Sequence, residues 1–370
     1  MGGSQWGGSE ALWHAVAMYA LERGDEVFVS VYDWNNVHTK IEQLQQVGAQ
    51  IRFRKRYNPA AGTREKISRF FKQRIPSTNI DYQAVIDFKP SIVFISQGDS
   101  FDLAIHHLPL YDLLLKNKIA YSFVCHSHAQ YGFIPPKEIY PGAEDVFKNA
   151  KNIFFVSKRQ HKLTERRLIT TLENAKFTWN PFSFKLPEAP LEWPNNNIVQ
   201  MALVGNLDDM KGQDTVFEVL SAAEWQTRDW HLNIYGKGAG LNYLKALAAF
   251  YRITGKINFN GYVAKIEEAW KQNHLLLIPS AGEGMPISLV EAMVCGRPSV
   301  VTDVGGNIEL IIENESGFIS ASPTVESFAA ALEKAWLNKS EWEQIGSRAF
   351  EMITSKIDLQ PHIKIYELLK

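Results

Sequence analysis

Short apolar runs recur along this 370-residue chain and constrain its fold more than any other feature. SIVFIS, AYSFVCH, VQMALVG, HLNIYG, HLLLIPS and PSVVTD are apolar on both faces rather than alternating. Strands of that kind belong to a parallel sheet covered by helices on both sides. Helical patterns stand between them, among them LPLYDLLLKNK, KRQHKLTERRLI, DTVFEVLSAA, LNYLKALAAFYR, ISLVEAMVCG and VESFAAALEKAWLN. The class is therefore α/β, and the length exceeds what one core usually supports. NPFSFKLPEAPLEWPNNN, with four prolines and three consecutive asparagines, reads as the link. The expected domains are Rossmann-like αβα units over residues 1–183 and 184–354. A final apolar-sided helix within 355–370 is expected to pack back on the first unit. Two such units in tandem leave a cleft between the carboxyl ends of their sheets, where open α/β sheets bind ligands.

The opening MGGSQWGGSE is turn material and runs straight into the helical pattern ALWHAVAMYALERG. A glycine turn that opens a helix normally follows a strand, and none precedes this one. The first strand of the domain is expected to be missing, with a truncated start as the explanation. The opening also lacks a basic start followed by an apolar run, so no secretory leader is expected. No apolar run reaches the length of a membrane span.

The formal net charge of −1 excludes a strongly basic nucleic-acid binder. The charge is unevenly spread, however. Residues 52–74 hold nine basic side chains against the single Glu65. Ile67, Phe70, Phe71 and Ile75 would form one stripe of a helix over 64–75. Such a segment, residues 52–75, suits an anionic membrane surface or an acidic acceptor, or else a core-facing stripe with a solvated basic back. Cys125 and Cys295 sit apart in apolar stretches and read as buried free thiols in a reducing compartment. Cytoplasmic placement is expected, and the membrane reading of the basic segment would add peripheral attachment to the inner face of a membrane.

The chemistry concentrates in LLLIPSAGEGMPISLVEAMVCG. A strand ends at Pro279, a turn carries Gly282, Gly284 and Pro286, and a helix starts near Ile287. The free first-turn amides of Met285, Ile287 and Ser288 would hold a phosphate at the positive helix end. Glu283 lies in the turn and Glu291 eight positions later. They read as acceptors for sugar hydroxyls and a ribose, or as a helix-start carboxylate and a surface residue. Gly305 and Gly306 in the turn DVGGN would let backbone approach a ligand, and Glu309 starts the next helix. In ALVGNLDDMKGQD, Lys211 stands where a point charge can meet a diphosphate. Asp208 and Asp209 read as solvated, and no metal site is expected.

Taken in order, these segments resemble a retaining glycosyltransferase of the large family 4, with the GT-B architecture. GGSE at 7–10, VGNLDDMKGQD, NIYGKG, INFNGYV, PSAGEGMPISLVEA and GRPSVVTDVGGNIELI carry the resemblance. It covers nearly the whole chain and is strongest over 198–320. It implies a UDP- or GDP-sugar donor, a glycan or lipid-linked acceptor, transfer without a required cofactor, and no nucleic-acid partner. By that resemblance Lys211 binds the diphosphate, Glu283 the transferred sugar and Glu291 the ribose. Gly284, Met285, Pro286 and Ile287, with Gly305 and Gly306, approach sugar and phosphates. Val263 lies near the base, and Gly7 and Gly8 border the diphosphate from the first domain. His126 reaches the donor sugar, with His128 as its rival. Gly205 ends the strand before the lysine loop. The family usually has arginine next, where this chain has Asn206, which cannot form the bidentate phosphate pair. Arg159, Lys158 and Lys237 are candidates to compensate. The alternative to a transferase is a sugar-nucleotide-binding protein that has lost catalysis.

Overall fold

The computed structural model describes residues 5–55, 80–127, 140–182 and 184–370. The helix expected over 64–75, most of the basic stretch 52–75, and His128 lie outside them.

In the first half the elements run α1 (Gly8–Glu22), β1 (Phe28–Tyr32), α2 (Thr39–Gln46), β2 (Gln50–Arg54), α3 (Ile80–Asp87), β3 (Ile92–Asp99), α4 (Asp102–His106), α5 (Leu108–Lys116) and β4 (Ala120–Ser127). Then come α6 (Tyr140–Lys148), β5 (Ile153–Phe155), α7 (Lys158–Leu168) and β6 (Ala175–Phe177). The strands form two parallel groups, β1–β2 and β3–β4–β5–β6. Among the described residues β1 pairs only with β2 and β3 only with β4, and no strand precedes α1.

The second half runs β7 (Val199–Val204), α8 (Gln213–Ser221), α9 (Ala223–Gln226), β8 (Trp230–Tyr235), α10 (Leu241–Phe250), β9 (Ile257–Gly261), α11 (Ile266–Trp270), β10 (Leu275–Ile278) and α12 (Ile287–Val294). β11 (Ser299–Thr302), α13 (Asn307–Leu310), β12 (Phe318–Ser320), α14 (Val325–Leu337), α15 (Trp342–Thr354) and α16 (Pro361–Leu369) complete the chain. Its six strands are parallel in the order β12-β11-β10-β7-β8-β9. That is the doubly wound Rossmann order, with its switch point between β7 and β10. Every residue of β10 and β11 is buried, as two-sided apolar runs require.

One buried cluster crosses between the halves. Leu12 and Val16 of α1 and Val124 of β4 join Leu289 and Val290 of α12. Helix α16 returns to the first half. There Tyr366 Oη donates to Asp25 at 2.8 Å, and Asn152 Nδ2 donates to the Leu368 carbonyl at 3.0 Å. Helix α15, which the sequence reading passed over, buries Trp342, Ile345, Ala349 and Ile353 at helical spacing.

Candidate active site

The carboxyl ends of β7 and β10 lie side by side at the switch point and deliver Gly205 and Pro279 to the same place. From Gly205 the chain loops through a short helical turn, Asp209–Lys211. Asp208 caps that turn, its Oδ1 accepting from the Met210 amide at 3.1 Å. Gly212 takes a left-handed φ of 65° before α8 begins. This bend turns Lys211 back across the strand ends. Its Nζ donates to Glu283 Oε1 at 2.6 Å, and Ser280 Oγ donates to the same oxygen at 2.7 Å. Glu283 is buried at 7% exposure, so its carboxylate depends on these two donors. Gly205, Lys211, Gln213, Ser280, Glu283 and Ser288 surround a hollow of about 20 Å³. Lys211 and Glu283 thus meet each other's charge at the strand ends.

Helix α12 begins beside this pair. Pro286 is its N-cap, with its carbonyl accepting from the Leu289 and Val290 amides at 3.2 and 3.3 Å. The Met285, Ile287 and Ser288 amides have no hydrogen-bond partner among the described residues. They are three free donors at the positive end of a helix. Gly306 N donates to the Gly284 carbonyl at 2.6 Å, which ties the DVGGN turn to the glutamate turn.

The first half closes over the same turn. A Cβ on Gly284 would come within 2.0 Å of the His126 carbonyl oxygen, and a Cβ on Gly8 within 2.1 Å of Ile287 Cδ1. The approach to the His126 backbone requires glycine at 284, whereas a side chain at position 8 would have to displace the tip of Ile287. Gly7, the N-cap of α1, is extended at φ −152°. His126 ends the buried part of β4, and Ser96 Oγ lies 3.0 Å from its Nε2. Burial holds its pKa at about 4, with the neighbouring Asn180 amide opposing that shift. Even so, His126 Nδ1 and Asn180 Oδ1 are both buried without a partner at hydrogen-bonding geometry. The ring is therefore neutral at pH 7 and keeps one nitrogen uncommitted.

Glu291 lies one turn along α12 and is buried. Burial first, and the charge of Glu267 second, push its pKa up to about 8. It is a neutral acid at pH 7, able both to donate and to accept. Val263 follows the left-handed Gly261 and is half-buried against the core that contains α12. Asn206 is exposed, and its carbonyl accepts from Gln213 Nε2 at 2.9 Å.

Of the three cations expected to compensate, Arg159 and Lys237 have partners elsewhere. The Arg159 guanidinium is ion-paired with Asp303, because the first turn of α7 abuts the second half. Lys237 Nζ stands 5.7 Å over the exposed Tyr262 ring, and Lys158 is exposed at the start of α7. Glu309 is more than a carboxylate on its own helix. Its Oε1 accepts from the Arg159 backbone amide at 2.8 Å, capping α7 from across the cleft. Sequence reasoning missed this cap and the role of Ser280, since both depend on contacts between distant segments.

Residues 192–352 match the model of the family described as glycosyl transferases group 1. That stretch carries Lys211, Glu283, Glu291 and both glycine turns. An uncharacterized glycosyltransferase of Haemophilus influenzae is 25% identical over 196 residues, which is 50% of this chain and 55% of that protein. The D-inositol 3-phosphate glycosyltransferase of Gordonia bronchialis is 24% identical over 42% of this chain and 36% of that protein. The alignments thus span about half or less of the length of these curated relatives. The Anabaena Alr3699/HepE structure in complex with UDP-glucose superposes with a TM-score of 0.72 at 15% identity, over 99% of this chain and 96% of that one. The lipopolysaccharide outer core galactosyltransferase WaaB, in its apo form, gives 0.64 at 17% identity, over 100% and 96%. The fold of the chain that carries the group 1 segment is GT-B.

Proposed function

We propose that the chain is a retaining glycosyltransferase, moving a sugar from a nucleoside-diphosphate sugar to a hydroxyl of a glycan or lipid-linked glycan. The observation that carries the reading is the Lys211–Glu283 pair, set at the sheet switch point beside three free helix amides. On donor entry Lys211 exchanges the Glu283 carboxylate for a diphosphate oxygen, and the amides of Met285, Ile287 and Ser288 take other phosphate oxygens. As the glycosidic bond breaks, charge gathers on the departing diphosphate, and these groups stabilise it. Glu283, released from Lys211, accepts hydrogen bonds from sugar hydroxyls. His126, neutral with one ring nitrogen uncommitted, contacts the sugar from the other domain. Glu291, a neutral acid, exchanges hydrogen bonds with the ribose hydroxyls.

Attack from the face the leaving group departs, aided by a phosphate oxygen, gives retention without a covalent nucleophile. Transfer is metal-independent in this reading, with Lys211 and the helix amides meeting the charge on the diphosphate. A UDP donor is supported by the UDP-glucose complex of Alr3699/HepE. A glycan or polymer acceptor is supported by WaaB and by the poly(glycerol-phosphate) alpha-glucosyltransferase of Bacillus subtilis, which is 22% identical over 56% of this chain and 31% of that protein. The basic stretch 52–75 is the proposed contact with an anionic cytoplasmic membrane face. Vesicle co-sedimentation that does not depend on anionic lipid would remove that contact.

Asn206 favours a second reading, a sugar-nucleotide-binding protein without turnover. Nucleotide release from UDP-glucose and GDP-mannose, measured beside UDP and GDP binding, separates the two. Tight binding without release of either nucleotide would sink the transferase reading.

A further inference from the structure

One member of the basic stretch that begins at residue 52 has surroundings unlike the others. Arg52 and Lys55 are exposed, whereas Arg54 is half-buried. Arg54 is the last residue of β2 and stands in register with Tyr32, the last of β1. Partners in register share a sheet face, and the guanidinium carbon lies 4.5 Å from the centre of the Tyr32 ring. Tyr82, near the start of α3, offers a second ring at 5.3 Å. The Tyr82 hydroxyl accepts from Arg54 Nη1 at 3.4 Å and lies 2.7 Å from His107 Nδ1. Burial first, and the Arg54 charge second, hold the His107 pKa at about 4, so that ring is neutral at pH 7. Arg54 Nε is buried without a partner, and Nη2 makes no hydrogen bond among the described residues. Nor does any carboxylate among the described residues pair with this guanidinium. A half-buried cation needs its charge met, and two ring faces supply only part of that.

The same corner opens toward the donor site. Trp6, Trp34, His38, Arg54 and Tyr82 line one hollow together with Ser96, whose Oγ is 3.0 Å from His126 Nε2. Trp6 and His38 stack at 4.5 Å with their rings parallel to within 2°, so flat aromatic surface stands in the same wall as the cation. The acids in that wall are committed or distant. Asp25 and Glu26 precede β1, at the far end of the strands, and Glu10 is bonded by Ser9 Oγ with its pKa raised by burial. We propose that Arg54, held flat by Tyr32 and Tyr82, binds a phosphate or carboxylate group carried by the acceptor. Nη2 and the remaining Nη1 hydrogen donate to two of its oxygens, the paired geometry a guanidinium offers. The acceptor is then an acidic sugar or a sugar phosphate, with Trp6 and Trp34 bordering its ring. Tyr82 is a positioning residue, fixed by His107. The assignment rests on the transferase reading, in which the donor occupies the second half and the acceptor enters from the first.

Calorimetry of the full chain with glucose 6-phosphate, glucuronate and glucose, each with and without saturating UDP, tests this. At least one of the two acids should bind about tenfold more tightly than glucose. Preference for the first assigns a phosphate, and for the second a carboxylate. Arg54→Gln should abolish the preference, and Arg54→Lys should keep only part of it, because an ammonium lacks the paired geometry. Equal affinity for all three sugars, no binding of either acid, or an unchanged preference in Arg54→Gln would overturn the proposal. A second measurement needs no folded Arg54→Gln. In the parent chain the Arg54 Nε–H resonance, identified by its loss in Arg54→Lys, should shift with the preferred acid and not with glucose. Displacement of that acid by UDP would put it in the donor site and overturn the acceptor assignment. If UDP itself does not bind, the donor reading falls, while the comparison of sugars without UDP still decides the role of Arg54.

Discussion

Glu283 shows how little a single residue's chemistry says before its neighbours are known. In sequence it is a carboxylate near a helix start, next to where a phosphate would sit. In the structure it is buried and bonded by Lys211 and Ser280, so its charge is met from within the protein. Glu283→Ala should lower turnover about a hundredfold while changing free UDP affinity less than about threefold. Equal losses in kcat and in UDP binding by calorimetry would remove its sugar-facing role. Lys211→Ala should weaken UDP binding by about tenfold to a hundredfold, the range of one charge-assisted hydrogen bond. Glu291 has its own signature in stability. A carboxyl raised to about 8 in the folded state favours folding below the unfolded value of 4.5, and that contribution is lost as pH rises through about 8. Glu291→Gln should therefore gain stability relative to the parent, by a few kcal/mol, between pH 5 and 9 in denaturant titrations. A pH-independent difference would contradict it. Lys211 and Glu283 were legible because turn, lysine and glutamate fall at recognisable spacings. Ser280 was not, because its role depends on which way the turn carries its hydroxyl.

At the scale of elements, α12 supplies the free amides, and α7 and α13 lock the halves together. Glu309 gives the α7 first turn an acceptor from the opposite domain, and Arg159 returns the contact to Asp303. Removing a helix-start acceptor costs about 1 kcal/mol. Glu309→Ala should therefore loosen the domains, raising the radius of gyration in small-angle scattering of the unliganded protein while leaving the melting of each half nearly unchanged. An unchanged radius of gyration in Glu309→Ala combined with Arg159→Ala would show that the apolar contacts of α1 with α12 hold the halves alone. The sequence identified these helices by period and cap. It could not pair them, because a cap between domains leaves no local pattern: Glu309 reads the same whether it serves its own helix or another.

For the whole molecule, the buried imidazoles set a direction of response to acid. His126 and His107 are both held at about 4 by burial, against 6.5 for an exposed ring. Their neutral forms support the fold fully above pH 6.5, and that support is lost as pH falls toward 4, where the unfolded chain takes up protons the folded one refuses. Across pH 6.5 to 4.5 these two rings outweigh the opposing Glu291. The melting temperature should fall on acidification, and His126→Gln should make the fall shallower. A slope unchanged in His126→Gln would show that the ring is already charged at pH 6. The sequence by itself determined the α/β class and the two Rossmann-like units, and it put the glycine turns, Lys211 and Glu283 at strand ends and Glu291 one turn into a helix. Periodicity and backbone demands are local, and these features are written in consecutive residues. Only the tertiary structure decided that Lys211 closes on Glu283, that Arg159 is spent on Asp303, and that β1 and β3 line one cavity. Each is a meeting of segments far apart in the chain, and packing, not spacing, brings them together.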